Sequence, residues 1–331
     1  MKNFFEEHGG VAIILIVIAV LLVLVGSVKG LDEGTGKVNG SGIASIVGNA
    51  YSNAIDKFKD SFDNVLSGTG DSNNSNPTFG PNGEPLVSTT ESQVGKYADI
   101  DGDGTVDGII FADLAVGGSG IWCEDDLKND EFSTTYGTYT IPTVSSAKDY
   151  YVSQESYTNK LGGTAEVLSP TGGGNDRFYI MTLGDIDSER CDWYYAAQGK
   201  ISDYASITSP DFGKGKSNTA TMISKWNSEA YGNKNDCWQE HKDLWGEIQT
   251  QASNGWFVPS VREWAAFLDK LGITESNYES KGLSHWYWTS SLYDENNAFV
   301  IPTWAESMSD CYLHCDSEIY SEAWVRLATT F

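Results

Sequence analysis

From about Val94 onward, apolar and polar positions alternate in short runs broken by glycine and asparagine. Segments "GIIFADLAV" (108–116) and "RFYIMTLG" (177–184) are rich in branched and aromatic residues between turn formers, so they predict buried strands. The spacing changes to a helical one over 216–230, "KSNTATMISKWNSEA", and over 236–252, "DCWQEHKDLWGEIQTQA". The latter starts with Asp236 at a cap position and carries Trp238, Leu244, Trp245 and Ile248 as its apolar stripe. The best-punctuated helix follows in "PSVREWAAFLDKLG". Ser260 and Glu263 have the spacing of a capping box, Val261, Trp264, Ala265, Leu268 and Leu271 recur at helical intervals, and Gly272 supplies a stop. Three short strands are predicted after it, in "HWYWTSS", "NAFVI" and "AWVRLATTF". The mixture predicts one α+β domain over 93–331.

The stretch from Trp304 to Val325 splits by parity. Even positions carry Trp304, Glu306, Met308, Asp310, Tyr312, His314, Asp316, Glu318, Tyr320, Glu322 and Trp324. Odd positions are small or aliphatic throughout, from Ala305 to Val325. Successive strand residues face opposite ways, so one face packs and the other is chemically unconstrained. A merely solvated face would carry Lys, Glu and Thr. Tryptophan, methionine, tyrosine and histidine on one outward row suit a contact surface, because aromatic anchors dominate interface energy.

The N-terminal third has a different character. Val11–Val28, "VAIILIVIAVLLVLVGSV", is an uncharged apolar run close to the roughly 20 residues a membrane-spanning helix needs. It is longer than a signal-peptide core and lacks a small-residue cleavage site, so residues 1–30 are expected to be an uncleaved single-pass anchor. The flanking Lys2 and Lys29 give no charge bias, and the C-terminal domain is placed outside the cell because it follows the span. Residues 31–92 are rich in Gly, Ser, Asn and Asp and read as a flexible spacer, with an amphipathic helix expected at 43–66.

Composition narrows the partners. The 331-residue chain has a formal net charge of −25, which argues against nucleic acid because phosphate repulsion would dominate. Its five cysteines, at 123, 191, 237, 311 and 315, form no CxxC pair and are too few for a disulfide scaffold. In "DIDGDGTVDG" (99–108), Asp99, Asp101, Asp103 and Asp107 alternate around Gly104, with the Thr105 carbonyl at the position that ligates in a calcium loop. Ile110 stands where an EF-hand has its bidentate glutamate. A shorter calcium loop of structural role is expected, against the alternative of an Asp-Gly turn cluster.

The ordered set "NGWFVPSVREWAAFLDKLGI", "YWTSS", "NNAFVI" and terminal "VRLATTF" resembles the C-type-lectin-like domain of retroelement-diversified variable proteins, and the wider formylglycine-generating-enzyme-like group. The resemblance implies a C-type-lectin-like scaffold of short antiparallel strands with two or three helices. Trp256, Pro259, Glu263, Trp264, Trp288, Ser290, Ser291, Val325 and Arg326 would form its framework. It further implies variable, ligand-contacting positions between Leu292 and Glu322, which adds Tyr293, Asp294 and Asn296 to the outward row. The expected function is display of a diversified contact face toward an unknown protein or glycan on another cell or a phage surface. Two alternatives come with the resemblance. One is a copper oxidase using Cys311 and Cys315, although residues four apart on a strand lie about 13 Å from each other. The other is a fixed calcium-dependent carbohydrate lectin, although no EPN or WND motif is present. An enzyme is not expected.

Overall fold

A computed structural model of the chain describes residues 79–126, 133–187, 189–197, 200–233, 242–274, 276–302 and 317–331. Ser75–Phe331 forms one compact unit. Its centre is a six-stranded sheet. The strands, numbered along the chain, are β1 (Tyr97–Ala98), β2 (Gly108–Asp113), β5 (Asp149–Asn159), β6 (Gly163–Thr171), β7 (Phe178–Thr182) and β13 (Ala328–Thr330), in the spatial order β13-β7-β2-β1-β6-β5. All neighbours are antiparallel except β1 and β6.

Period-two side-chain alternation explains why this sheet is buried on both faces. On β2, Ile109 and Phe111 enter one core while Ile110 enters another. A bulge between Ile110 and Ala112 turns Ala112 onto the same side as Phe111. The side holding Ile110 is closed by Tyr150, Phe178 and the terminal Phe331, whose ring centroids lie 4.6 to 5.6 Å apart. The other side is covered by helix α5 (Val261–Lys270), where Phe267 meets Phe111 edge-on at 5.8 Å.

The hairpin of β3 (Gly118–Asp126) and β4 (Ser133–Ile141) also packs on α5, with the Tyr139 hydroxyl donating to Asp269. A second layer holds β9 (Trp286–Leu292), β10 (Asn297–Pro302) and β11 (Ser317–Glu318), paired antiparallel in the order β11-β10-β9. Beside it, β8 (Cys191–Asp192) pairs with β12 (Glu322–Ala323). Helices α1 (Tyr204–Ile207), α2 (Gly215–Asn227), α3 (Leu244–Glu247) and α4 (Gln249–Ser253) complete the unit. The core of this layer is a tryptophan cluster in which Trp193 and Trp245 meet edge-on at 4.9 Å and Trp288 is wholly buried.

Two expectations are corrected. The fold is mostly β, with sheets of up to six strands, and not the α+β C-type-lectin-like arrangement of short strands. Residues 118–171 make the difference. They are rich in Tyr, Thr and Ser, and their low apolar content hides four strands of nine to eleven residues. The expected localisation, a single-pass membrane anchor with an extracellular domain, is likewise not seen among the described residues. Among the described residues no helix is long and apolar enough to cross a membrane, and the run 11–28 lies outside them. The 43–66 helix lies outside them as well.

The expected helix over 236–252 is replaced, in its described part, by α3 and α4. Asp236 lies outside the described residues. Asp243 precedes α3 but does not cap it, because its carboxylate accepts from the Tyr195 N–H at 2.7 Å and from Trp226 Nε1 at 3.2 Å. At the end of the expected spacer, the Val87 N–H donates to the Tyr150 carbonyl and Leu86 bridges Tyr151, so these two residues lie along β5.

Candidate functional site

The C-terminal segment re-enters the described structure at Ser317 and is tied down by main-chain bonds. The Ile319 N–H donates to the Asn296 carbonyl at 3.0 Å, and the Ile319 carbonyl accepts from the Tyr194 N–H at 2.8 Å. Those two bonds fix which way the neighbouring side chains point. Ile319, Ala323 and Val325 are at most 2 % exposed, while Glu318, Tyr320 and Glu322 face solvent, Tyr320 at 40 %. Trp324 is half-buried. The alternation persists through a turn at 319–320, closed by the Ser321 N–H donating to the Glu318 carbonyl at 2.7 Å. The Tyr320 hydroxyl donates to the Glu318 carboxylate, which raises the tyrosine pKa.

Among the expected contact residues, Asn296, Glu318, Tyr320 and Glu322 are exposed along this stretch. Tyr293 and Asp294 are not presented in the same way. Tyr293 packs edge-on against Phe299 at 5.4 Å, and the Asp294 carboxylate accepts from the N–H groups of Asn296 and Asn297 at 2.7 and 2.9 Å, closing the β9–β10 turn. Trp304, Glu306, Met308, Asp310, Tyr312, His314 and Asp316 lie outside the described residues, as do Cys311 and Cys315.

Beneath the exposed row the support is rigid. Pro259, Glu263, Trp264, Trp288, Ser290, Ser291, Val325 and Arg326 are buried, and Trp256 is half-buried. Trp288 Nε1 donates to the Cys191 carbonyl at 2.7 Å and Trp193 Nε1 to the Thr289 carbonyl at 2.8 Å, which locks β9 against β8. Arg326 is clamped by Asp185 at 2.9 Å and by the Gly282 carbonyl at 3.0 Å, and Asp185 also accepts from Tyr287 at 2.9 Å. Cys191 is a buried free thiol whose pKa burial pushes up to about 12, so it stays protonated and unreactive.

Between the row and β9 lies a cleft of about 160 Å³. Trp286, Trp288 and Val300 supply its apolar lining, and Arg190, Ser321 and Glu322 its polar one. Arg190 and Glu322 form an ion pair at 3.2 Å, their side chains 53 % and 41 % exposed. Of these, the sequence singles out Glu322 as a contact residue and Trp288 as framework, but not Trp286 or Arg190. Trp286 belongs to the preceding strand and Arg190 to a loop more than a hundred residues upstream, so nothing local connects them.

At the start of the domain, Asp99, Asp101 and Asp107 bring one carboxylate oxygen each to within 4.8 Å of the others. Asp103 is outside this group; its carboxylate accepts from the Thr105 N–H at 2.7 Å. Asp99 is buried and accepts from the N–H groups of Gly102 at 2.8 Å, Asp103 at 3.2 Å and Gly104 at 3.1 Å, and from Ser169 Oγ at 3.0 Å. Asp107 accepts from the Ile100 N–H at 2.8 Å. Burial raises the Asp107 pKa, and the negative charges of Asp101, Asp99 and Asp103 add to the rise.

No family model matches this chain, and no curated protein does. Among solved structures it is similar to a fimbrial protein from Bacteroides ovatus, at 15 % identity and a TM-score of 0.31, over 47 % of this chain and 36 % of that one. The chain thus spans about a third of that protein's length.

Proposed function

We propose that this is a ligand-binding protein whose C-terminal stretch forms the contact face. The observation that carries the reading is the separation of roles within eight residues: Glu318, Tyr320 and Glu322 outward, Ile319, Ala323 and Val325 in the core. A face of that kind changes chemistry without touching the fold. Randomising 296, 318, 320 and 322 together should leave most variants folded, each single change shifting stability by no more than about 0.5 kcal/mol. Ile319→Asp, which buries a charge, should cost more than about 2 kcal/mol. Resistance to proteolysis compares the randomised set with Ile319→Asp directly. Loss of folded protein across the randomised set as large as that in Ile319→Asp would remove the reading. Diversification by a retroelement is part of the proposal and has its own test: a near-copy of the 3′ end of the coding sequence, differing mainly at adenines, beside a reverse-transcriptase gene.

A structural calcium ion at Asp99, Asp101 and Asp107 belongs to the same reading. Three carboxylates gathered within 4.8 Å suit a hard cation, whose divalent charge would offset their mutual repulsion. Asp103 and the Thr105 carbonyl, part of the sequence expectation, are not needed for this set. Millimolar calcium should raise the melting temperature by several degrees, since saturating a site at about a hundred times its Kd adds about 2.7 kcal/mol. Asp107→Asn should abolish that response. A melting temperature indifferent to both calcium and chelator would leave the loop as an Asp-Gly turn held by the hydrogen bonds of Asp99.

A further inference from the structure

We propose that the outer edge of β4 pairs antiparallel, about a two-fold axis, with the same edge of a second copy of this chain. The inference is independent of the contact face. An edge strand leaves a row of N–H and C=O groups unpaired, and this fold closes nearly every such row. β13 is covered by Phe257, which exchanges both main-chain bonds with Ala328 at 2.8 Å. β9 is covered where Trp288 donates to the Trp324 carbonyl and Ser290 to the Pro259 carbonyl. On β5, Leu86 and Val87 lie along Tyr150 and Tyr151, and beyond them the register breaks between Val152 and Tyr157. β8, β11 and β12 are only two residues long. β3 ends in Glu124, Asp125 and Asp126, and its Ser119 carbonyl accepts from Lys270 Nζ at 3.1 Å.

β4 has none of these devices. Its nine residues, "STTYGTYTI", hold no charge and no proline, are mostly strong strand formers, and keep an unbroken register against β3. Among the described residues it pairs with β3 alone. The Ser119 carbonyl that meets Lys270 points away from β4. Its partner Thr140 therefore turns its own N–H and C=O to the far edge, as do Thr138 and, by alternation, Tyr136 and Thr134. Thr138 and Thr140 are both exposed. An undefended edge of this length takes another strand.

Two features select a second copy as that strand. The first is register. Pairing β4 with itself about Gly137 sets Thr140 opposite Thr134 and Thr138 opposite Tyr136, so every outward-turned residue meets another. Thr–Thr and Tyr–Thr are favourable cross-strand pairs. The second is charge. Two chains of net charge −25 meet with least repulsion along an uncharged strand. Antiparallel pairing also keeps the two Glu124–Asp126 triplets at opposite ends of the joint, roughly 30 Å apart. That is well beyond the ~8 Å over which exposed charges act at physiological salt.

Sedimentation velocity of the full chain across a concentration series should show a monomer–dimer equilibrium. Thr138→Pro removes an outward N–H without breaking a bond to β3, and Thr138→Lys brings two like charges together across the axis. Each should raise the dimer Kd at least tenfold, with the melting temperature measured below the Kd unchanged. The lysine variant keeps the test open should proline loosen the hairpin. Gln154→Lys, the same change of charge on β5, should leave the Kd at the parent value. Gly137→Cys puts a thiol on the axis, where facing Cα atoms of a non-hydrogen-bonded pair are close enough for a disulfide. Mild oxidation should then join two copies, a product absent from the parent and lost when Thr138→Pro is added. Four outcomes would overturn the assignment: a chain monomeric at every concentration, a dimer indifferent to both changes at Thr138, one weakened as much by Gln154→Lys, or no linkage through Gly137→Cys. None of them bears on whether the outward row tolerates randomisation, so the β4 edge can fail while the contact face stands.

Discussion

Asp113→Ala should be among the most damaging single changes in this protein, costing about 3–5 kcal/mol and lowering the melting temperature by on the order of 10 °C for a domain of this size. Asp113 and Arg177 are both wholly buried and bonded through two parallel contacts, Nε to Oδ1 at 2.9 Å and Nη2 to Oδ2 at 2.8 Å. The pair also fastens three separate pieces of chain. Asp113 accepts from the N–H groups of Gln93 at 3.1 Å and Ala115 at 2.9 Å, while Arg177 donates to the Ser88 carbonyl at 2.8 Å. Removing the carboxylate leaves a guanidinium in the core with no counter-charge, and its pKa is too high for it to escape by losing a proton. Removing both charges is different. Asp113→Ala with Arg177→Met should recover much of the loss, because the intact pair already bears the desolvation cost of two ions. Chemical denaturation of the two single variants and the double gives the coupling directly. An Asp113→Ala variant within about 1 kcal/mol of the parent would show that water reaches Arg177.

That ion pair is not legible in the sequence. Asp113 and Arg177 lie 64 positions apart and nothing near either announces the other. Local rules fared better. The Ser260–Glu263 capping box forms with both of its bonds, and Gly272 follows α5 with φ +57°. Those features are encoded within a single turn of chain, so spacing alone reveals them. Strands built from Tyr, Thr and Ser, such as β4 and β5, carry too little apolar contrast to stand out. Their pairing is set by partners such as β3 and β6. The cleft is harder still to foresee, because Arg190, Trp286 and Glu322 meet only after the sheets assemble. By contrast, the Glu318–Val325 alternation is legible as parity in the sequence, although a turn at 319–320 interrupts the strand and the main-chain bonds of Ile319 carry the alternation across it.

Glu263 links that legible helix cap to a less legible consequence, a dependence of stability on pH. Its carboxylate is wholly buried between α5 and the loop before α2. One oxygen accepts from the N–H groups of Gly213 at 3.0 Å and Gly215 at 3.4 Å, the other from the Ser260 N–H at 2.6 Å. A side chain at Gly215 would collide with it, so the approach requires glycine. Burial pushes the Glu263 pKa up to about 7 against the pull of these three donors, from an ordinary 4.5. The folded state therefore holds the proton more tightly than the unfolded chain. Its contribution to stability is complete below pH 4.5, declines as pH rises toward 7, and is gone above it. A shift of that size corresponds to about 3 kcal/mol. Many other carboxylates titrate in the same range, so the useful quantity is the gap between the parent and Glu263→Gln. Glutamine cannot ionise, but its amide turns one acceptor into a donor facing a backbone N–H, so it should be the less stable protein at pH 4.5. The gap should then shrink by about 3 kcal/mol by pH 8, and urea denaturation across that range measures it. A gap that stays constant would mean that the three N–H groups outweigh burial and keep Glu263 ionised throughout. Glu263 would then be an anion clamped at the start of α5, where the helix dipole favours negative charge.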